Sequence, residues 1–357
     1  MNGHKRDLRP LGAGLLPRAL AALYVGAVRL RNALFDSIPA MSARSPMPVV
    51  SVGGIHAGGS GKTPLVALIA EHLLSRDIQV CVASRGYGRR SSKLCVVGPG
   101  ERCDWTDVGD EPAMIHRRLP QTWLAVSPNR RRAIEAAAAR MPGDRPRVAL
   151  LDDGFQHRRV RRDLDIVCLP ADPWQSLPLP AGYLREPLSA LRRAHAVCII
   201  GDESQREQLL RDAGRARRDY VNDNVFVLLQ QVGPCVRLDT GEQLAEPPRT
   251  RLSVLCGIAR PERFLRAVES LGVGTERAHV YPDHHIYTPA DIETALAGDC
   301  GGLLTTEKDS VRISSLKLAN QHTICYLSLR LAFVESGACG EFHDLLHSRT
   351  LQVRGSR

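Results

Sequence analysis

Aromatic residues are scarce in this chain, only 4% of its 357 residues. Platforms that stack nucleic-acid bases need several rings on one face, so the net charge of +10 calls for a different anionic partner. A phosphorylated substrate or an anionic membrane surface fits, and nucleic acid does not. The arginines agree, coming as scattered clusters (Arg89-Arg90, Arg117-Arg118, Arg130-Arg131-Arg132, Arg158-Arg159, Arg192-Arg193) and not as one basic tail. Ten cysteines occur, yet none forms a C-x-x-C pair, which excludes a zinc centre of paired spacing. Cys81, Cys168, Cys198 and Cys256 sit inside apolar runs, as buried reduced thiols do, and imply a reducing compartment. Long apolar runs are also missing. The uncharged stretch 19–28 is too short to span a bilayer, and the arginine-studded start has no small-residue cleavage site of a signal peptide.

What the chain does have is a phosphate loop. Val49-Val50-Ser51-Val52 leads into Gly53-Gly54-Ile55-His56-Ala57-Gly58-Gly59-Ser60-Gly61-Lys62-Thr63-Pro64, and Leu65, Val66, Leu68 and Ile69 continue at helical spacing. Glycines let backbone N–H groups curl around a phosphate, and the helix N-terminus adds its positive dipole end. Lys62 is positioned to reach the β- and γ-phosphates and Thr63 to hold Mg²⁺. The candidate phosphate loop runs over His56, Ala57, Gly58, Gly59, Ser60, Gly61, Lys62 and Thr63. His56 stands where the motif G-x-x-x-x-G-K-[ST] has its first glycine, so the loop is a variant. A glycine-rich turn with a surface lysine is the plain alternative, but the flanking strand and helix favour nucleotide binding.

The length allows two domains with separate cores. Strand patterns at 49–52, 80–83, 148–151, 165–169 and 196–200 alternate with helical ones, notably 64–74 and 130–140. That alternation predicts an α/β fold, a phosphate-loop NTPase-like, mostly parallel sheet covered by helices on both faces. At 225–232 and 235–238 the pattern reads as a β-ribbon turning at Gly233-Pro234, before a smaller C-terminal α/β unit. The expected segments are an amphipathic one over 1–40, the kinase-like domain over 41–222, a ribbon linker over 223–250 and the smaller domain over 251–357. In the first segment Leu16, Leu20, Leu23, Ala27, Leu30 and Leu34 share one helical face flanked by Arg18, Arg29 and Arg31. Such a stripe lies equally well on a membrane or on the protein's own core. The tail after Ser336 carries no legible motif.

Other clusters are weaker alone. The strand 148–151 ends in Asp152-Asp153, where a phosphate-loop protein keeps a Mg²⁺-holding carboxylate, although many strands end in a capping Asp. Gly109-Asp110-Glu111-Pro112 reads first as a helix N-terminus. Pro282-Asp283-His284-His285 places two histidines beside an acid in a loop, Leu184-Arg185-Glu186-Pro187-Leu188 reads as an ion pair, and Thr306-Glu307-Lys308-Asp309 as a helix cap.

Taken in order with Ser84-Arg85-Gly86-Tyr87-Gly88, Asp152-Asp153-Gly154-Phe155-Gln156-His157 and Gly257-Ile258-Ala259-Arg260-Pro261-Glu262-Arg263-Phe264, these motifs resemble the tetraacyldisaccharide 4′-kinases, the lipid A 4′-kinases of Gram-negative bacteria. The resemblance runs from the amphipathic start to about Asp309. It implies an ATP- and Mg²⁺-dependent enzyme on the cytoplasmic face of the inner membrane, associated through its N-terminus with the anionic membrane surface. Its acceptor would be the 4′-hydroxyl of a tetraacylated glucosamine disaccharide 1-phosphate, a lipid substrate, and its product lipid IVA. The implied catalytic residues are Lys62, Asp110 as the base, His284 as its partner, and Arg185 stabilising the transferring phosphoryl group; Thr63, Asp152 and Glu186 would hold the metal. Two stretches depart from the family: Gly54-Ile55-His56, where Asn-x-Thr is common, and Asp172-Pro173-Trp174-Gln175-Ser176, where relatives have a glycine-bearing loop. The rival reading, a nucleotide-switch ATPase or GTPase, lacks its signature lysine at Ala57 and any N-K-x-D motif.

Overall fold

The computed structural model describes residues 10, 12, 14–221, 223–248, 251–297, 300–316 and 323–351. The chain opens with helix α1 (Leu15–Ser37), followed by β1 (Val49–Gly53), α2 (Lys62–Ser75), β2 (Gln79–Ser84) and β3 (Cys95–Val97). Next come α3 (Trp105–Val108), α4 (Asp110–Arg118), β4 (Trp123–Val126), α5 (Arg130–Arg140), β5 (Arg147–Asp152) and β6 (Leu164–Leu169). After β7 (Ala196–Gly201), α6 (Arg206–Asp219), β8 (Val225–Arg237) and β9 (Gln243–Leu244), the second half runs β10 (Leu252–Cys256), α7 (Pro261–Ser270) and β11 (Thr275–Val280). It ends with α8 (Pro289–Ala295), β12 (Gly302–Thr306), α9 (Glu307–Ile313), β13 (Ile324–Phe333) and α10 (Ala338–Thr350).

One sheet runs through both halves, in the order β11-β10-β12-β13-β8-β7-β6-β1-β5-β2-β4-β3, with β9 beside β8. Neighbours pair in parallel except at β13–β8, β4–β3 and β8–β9. The central strands are buried on both faces, and alternate residues therefore enter different cores. Val50, Val52, Val80 and Val82 pack with α2 side chains Leu65, Ile69 and Leu73, whereas Val49, Cys81 and Ala83 meet Ala133, Ile134 and Ala137 of α5. Helices thus cover both faces, as the alternation predicts.

Two expectations are corrected here. The residues read as a ribbon turning at Gly233-Pro234 form one continuous strand, β8, whose antiparallel partner is the distant β13. The pair is irregular between Leu327 and Leu329, where a Cβ on Gly233 would come within 2.4 Å of Ser328 Oγ. Gly233 thus marks a place where the two strands approach closely, not a turn. The motif-free tail is also not confined to the smaller half: α10 returns to the first core, where Ala338, Phe342 and Leu346 join Leu65, Ile69 and Leu73.

Helix α1 meets the rest of the molecule through few side chains. Ala21 and Val28 are buried, but Leu15, Leu16, Leu23 and Leu30 are 89%, 71%, 73% and 65% exposed. The leucine stripe does not pack on this chain's own core. No described helix is long and apolar enough to cross a membrane.

Where α10 returns, three imidazoles meet. The rings of His72 and His343 stack with centroids 3.4 Å apart, and His72 Nε2 lies 3.0 Å from His347 Nε2. Burial and the neighbouring His343, His347 and Arg76 push His72 down to about 4 from its ordinary 6.5. A histidine depressed in the folded state leaves stability intact above about pH 6.5 and removes it as pH falls towards 4. His72→Phe, which keeps the stack and removes the titration, is expected to reduce the fall in melting temperature between pH 7 and pH 4.5 by several degrees, measured by scanning calorimetry.

Candidate active site

The phosphate loop leaves the C-terminal end of β1 and enters α2 at Lys62. Gly61 stands at φ +77°, and a Cβ there would approach Ile200 to 2.8 Å, so only glycine turns the chain into α2. A second segment braces the loop. Ala57 N donates to Tyr183 O at 2.7 Å and Arg185 N to Ile55 O at 2.6 Å, a short antiparallel bridge that brings Arg185 to the loop. The His56 ring lies on Tyr183, centroids 5.4 Å apart and 22° from parallel.

Beside β1 the parallel register sets Asp152 opposite Val52, so the strand-end carboxylate lies next to the start of the loop. Asp153 follows in the left-handed region, φ 51°, and turns its carboxylate back to two cations. Lys62 Nζ is 3.7 Å from Oδ1 and Arg185 Nη1 is 2.7 Å from Oδ2; Lys62 also lies 3.4 Å from Ser60 Oγ. Burial pulls Asp153 up, but the charges of Lys62 and Arg185 outweigh it and hold the carboxyl below its ordinary range. Asp152 behaves oppositely. Burial, with the charges of Glu111 and Asp153, raises it to about 7, against the opposing pull of Lys62 and Arg130. Crowded carboxylates of this kind fit a divalent cation that takes oxygen ligands. Among the described residues no three His, Cys, Asp or Glu side chains form a ready-made metal centre. A cation here would therefore complete its shell with phosphate oxygens and water, as Mg²⁺ commonly does.

Glu111 comes from the first turn of α4, which also supplies Asp110. Gly109, at φ +95°, precedes them; a Cβ there would lie 2.8 Å from Tyr87 O, so glycine lets the helix start against the 84–88 loop. Asp110 is 4% exposed, and its Oδ2 lies 2.7 Å from His284 Nδ1, a residue from the other half. Burial pulls Asp110 up, yet the His284 hydrogen bond and the charges of Lys308, His284 and Arg312 hold it at about 2. An ionised carboxylate only accepts, so His284 donates its Nδ1–H and keeps a lone pair on Nε2. Lys308 Nζ donates to that lone pair at 3.1 Å and to Asp283 Oδ1 at 3.3 Å.

His284 itself is at φ 63°, a strained position for a residue with a Cβ. A buried ion pair behind it keeps the loop in place. Asp309 bonds Arg312 Nη2 at 2.6 Å and accepts from Gly257 N at 2.9 Å. Arg312 in turn donates to His285 O at 3.1 Å and Gly257 O at 3.3 Å, and His284 N donates to Gly257 O. At the other end of α4, Arg117 donates to Leu238 O at 3.0 Å and Arg118 to Leu329 O at 2.7 Å, binding the helix to the second half.

The predicted set is therefore largely gathered. Lys62, Thr63 and Asp152 share the loop region, Arg185 reaches it through Asp153, and Asp110 meets His284. Glu186 is a correction. It is wholly buried, with Arg193 Nη1 at 2.9 Å, Asn32 Nδ2 at 2.8 Å and Arg31 Nη2 at 3.3 Å, so both its oxygens are engaged by guanidinium and amide groups that anchor α1, and are not turned to a metal ion. Sequence reasoning gave no role to Glu111, Asp153, Lys308 or the buried Arg130, whose charge reaches both strand-end carboxylates. The first three lie in motifs already singled out; Arg130 had no signal beyond an arginine run.

A family model described as tetraacyldisaccharide-1-P 4′-kinase matches residues 13–348. The tetraacyldisaccharide 4′-kinase of Chlorobaculum parvum is 37% identical over 311 residues, covering 85% of this chain and 85% of that protein. That of Anaeromyxobacter dehalogenans strain 2CP-C is 38% identical over 325 residues, 85% of this chain and 83% of the relative. Among solved structures, the "apo" form of LpxK from Aquifex aeolicus in complex with ATP superposes with a TM-score of 0.76 at 27% identity, covering 93% of this chain and 98% of the other.

Removing one partner of a buried ion pair costs about 3–5 kcal/mol, and somewhat less where the cations reach water. Glu186→Ala is therefore expected to lower stability by about 3 kcal/mol in urea unfolding. A metal-ligand role would instead leave stability unchanged and raise the Mg²⁺ requirement.

Proposed function

The chain belongs to the tetraacyldisaccharide-1-phosphate 4′-kinase family, and from that membership we infer that it is an ATP-dependent lipid kinase of lipid A biosynthesis, transferring the γ-phosphate to the 4′-hydroxyl of a tetraacylated glucosamine disaccharide 1-phosphate to give lipid IVA. The observation that carries the chemistry is the 2.7 Å contact between Asp110 and His284, made by α4, which also brings Glu111 to Asp152. A base and a phosphate site are thereby joined by one helix turn.

Phosphoryl transfer needs mainly positioning and charge neutralisation. Backbone N–H groups of the 56–63 loop and the Lys62 ammonium hold the β- and γ-phosphates, with Arg185 and Arg130 offsetting charge around Asp152 and Asp153. Thr63, Asp152 and Glu111 would hold Mg²⁺, which when bound neutralises the phosphate oxygens. Asp110, the expected base, is kept ionised by its neighbours, at about 2, and works together with the histidine it holds. Its role is to accept the Nδ1–H of His284, fixing the tautomer that leaves Nε2 able to accept. The 4′-hydroxyl takes the place of the Lys308 ammonium at Nε2, gives up its proton there, and its oxygen attacks the γ-phosphorus as the bond to ADP breaks. Asp110 then stabilises the imidazolium.

The substrate's acyl chains also explain α1. An exposed leucine face beside Arg18 and Arg29 suits an anionic bilayer surface, with the helix lying flat on the cytoplasmic leaflet. Tyr24 and Arg31 on the same helix contact Arg185 O and Glu186, so a membrane under α1 lies near the phosphate loop.

Transfer of label from [γ-³²P]ATP to tetraacyldisaccharide 1-phosphate in detergent micelles tests the reaction. Label that requires Mg²⁺ and vanishes in Lys62→Ala is expected; slow ATP hydrolysis without labelled lipid would restore the nucleotide-switch reading. His284→Ala should lower kcat about 10²–10⁴-fold with ATP affinity little changed. For α1, replacing Leu16, Leu23 and Leu30 by Ser should cut co-flotation with anionic vesicles at least about tenfold. Unchanged flotation would remove α1 from membrane contact.

A further inference from the structure

The tail after Ser336 gains a pattern once α10 is in place. Cys339, His343 and His347 recur every fourth residue along that helix, so one face presents a sulfur and two imidazoles a turn apart. That face meets the last turn of α2, which contributes His72. The His72 ring stacks on His343 with centroids 3.4 Å apart, and the His347 ring lies 5.0 Å from it. Cys339 Sγ is 3.8 Å from His343 Nδ1. Four nitrogen and sulfur donors are thus grouped at one seam, far along α2 from the phosphate loop.

The spacing of these donors suits a soft or borderline cation. Histidines four residues apart on one helix face chelate a single metal ion, as in H-E-x-x-H. His343 and His347 have that spacing, and Cys339 repeats it one turn earlier. Across the seam, His72 Nε2 lies 3.0 Å from His347 Nε2. Two imidazole nitrogens bound to tetrahedral zinc at about 2.0 Å are about 3.3 Å apart, so this pair is already near the required separation. The three histidines are half-buried and Cys339 is exposed, which gives solvent ions access and the side chains room to turn. Among the described residues no three donors already surround a common point, so closing the site takes His343 off its stack on His72.

We propose that His72, His343, His347 and Cys339 form a second metal site, for Zn²⁺ or a cation of similar softness, that fastens α10 to the end of α2. Imidazole and thiolate donors select such a cation over Mg²⁺, which prefers the oxygen ligands near Asp152. The clamp would hold the far end of the helix that Lys62 begins, and it is independent of the kinase reading.

The test uses tag-free, full-length protein in reducing buffer, with saturating Mg²⁺ to fill the carboxylate site. It is titrated with Zn²⁺ by calorimetry and with Co²⁺ by absorption. A single Zn²⁺ per chain, bound with a Kd of about 1 μM or tighter, is expected. Co²⁺ should give the visible bands of tetrahedral coordination and a sulfur-to-cobalt charge-transfer band. The double variant His343→Gln, His347→Gln should weaken Zn²⁺ at least about tenfold and lose the rise of several degrees in melting temperature that Zn²⁺ gives the unmodified chain. Cys339→Ser, which alters only an exposed side chain, should abolish the charge-transfer band and leave Co²⁺ bound, a readout that stands even if the double variant does not fold. Unchanged Zn²⁺ affinity in the double variant overturns the proposal and leaves the histidines as packing groups. So does a charge-transfer band that is absent from the unmodified chain or survives Cys339→Ser. None of these readouts depends on lipid phosphorylation.

Discussion

The hydrogen bond between Asp110 and His284 is the constraint on which the site depends, because its two ends come from different halves of the chain. Each end is fixed by its own device. Gly109 lets α4 begin against the 84–88 loop, and Arg117 and Arg118 bind the helix to the second half. On the other side, the buried Asp309–Arg312 pair holds the loop that keeps His284 at positive φ. A strained residue persists only where its surroundings over-determine it, and here the surroundings are a buried ion pair plus four carbonyl and amide contacts. The continuous sheet supplies the frame, since β8 and β13 join the halves edge to edge.

Charge is arranged around this frame with two distinct effects on carboxylates. Asp110 and Asp153 each have cations within reach and stay ionised, whereas Asp152 is buried next to other carboxylates and is raised to about 7. Groups pushed apart in this way take different roles: the low ones orient or pair, and the high one is suited to a cation. The chain's basic excess is in part spent here, on Lys62, Arg130, Arg185 and Lys308 around acidic groups, and in part on the exposed face of α1.

Helix α1 differs from the other long helices in keeping its large apolar side chains outside. Its attachment is polar, through Tyr24, Arg31 and Asn32 to Arg185 and Glu186. The same short segment, 183–186, bridges to the phosphate loop. An element with an exposed apolar face is thus connected to the segment that braces the phosphate loop by three hydrogen-bonding side chains.

The sequence by itself determined the phosphate loop, the strand-end Asp152, the parallel α/β pattern and the leucine stripe, because each depends on local spacing: glycines before a helix, periods of two and of three to four. Only the tertiary structure decided which groups meet. Asp110 and His284 are 174 residues apart, and nothing local shows that one holds the other. Glu186 resembles a metal ligand in its motif until its oxygens are found on Asn32, Arg31 and Arg193. Gly233-Pro234 resembles a turn until β13 is laid along β8, and α10, unreadable as sequence, gains its place by burying Phe342 and Leu346 in a core begun almost three hundred residues earlier. Local patterns fix what each segment can become; long-range packing and charge pairing select the partners, and those partners assign the roles.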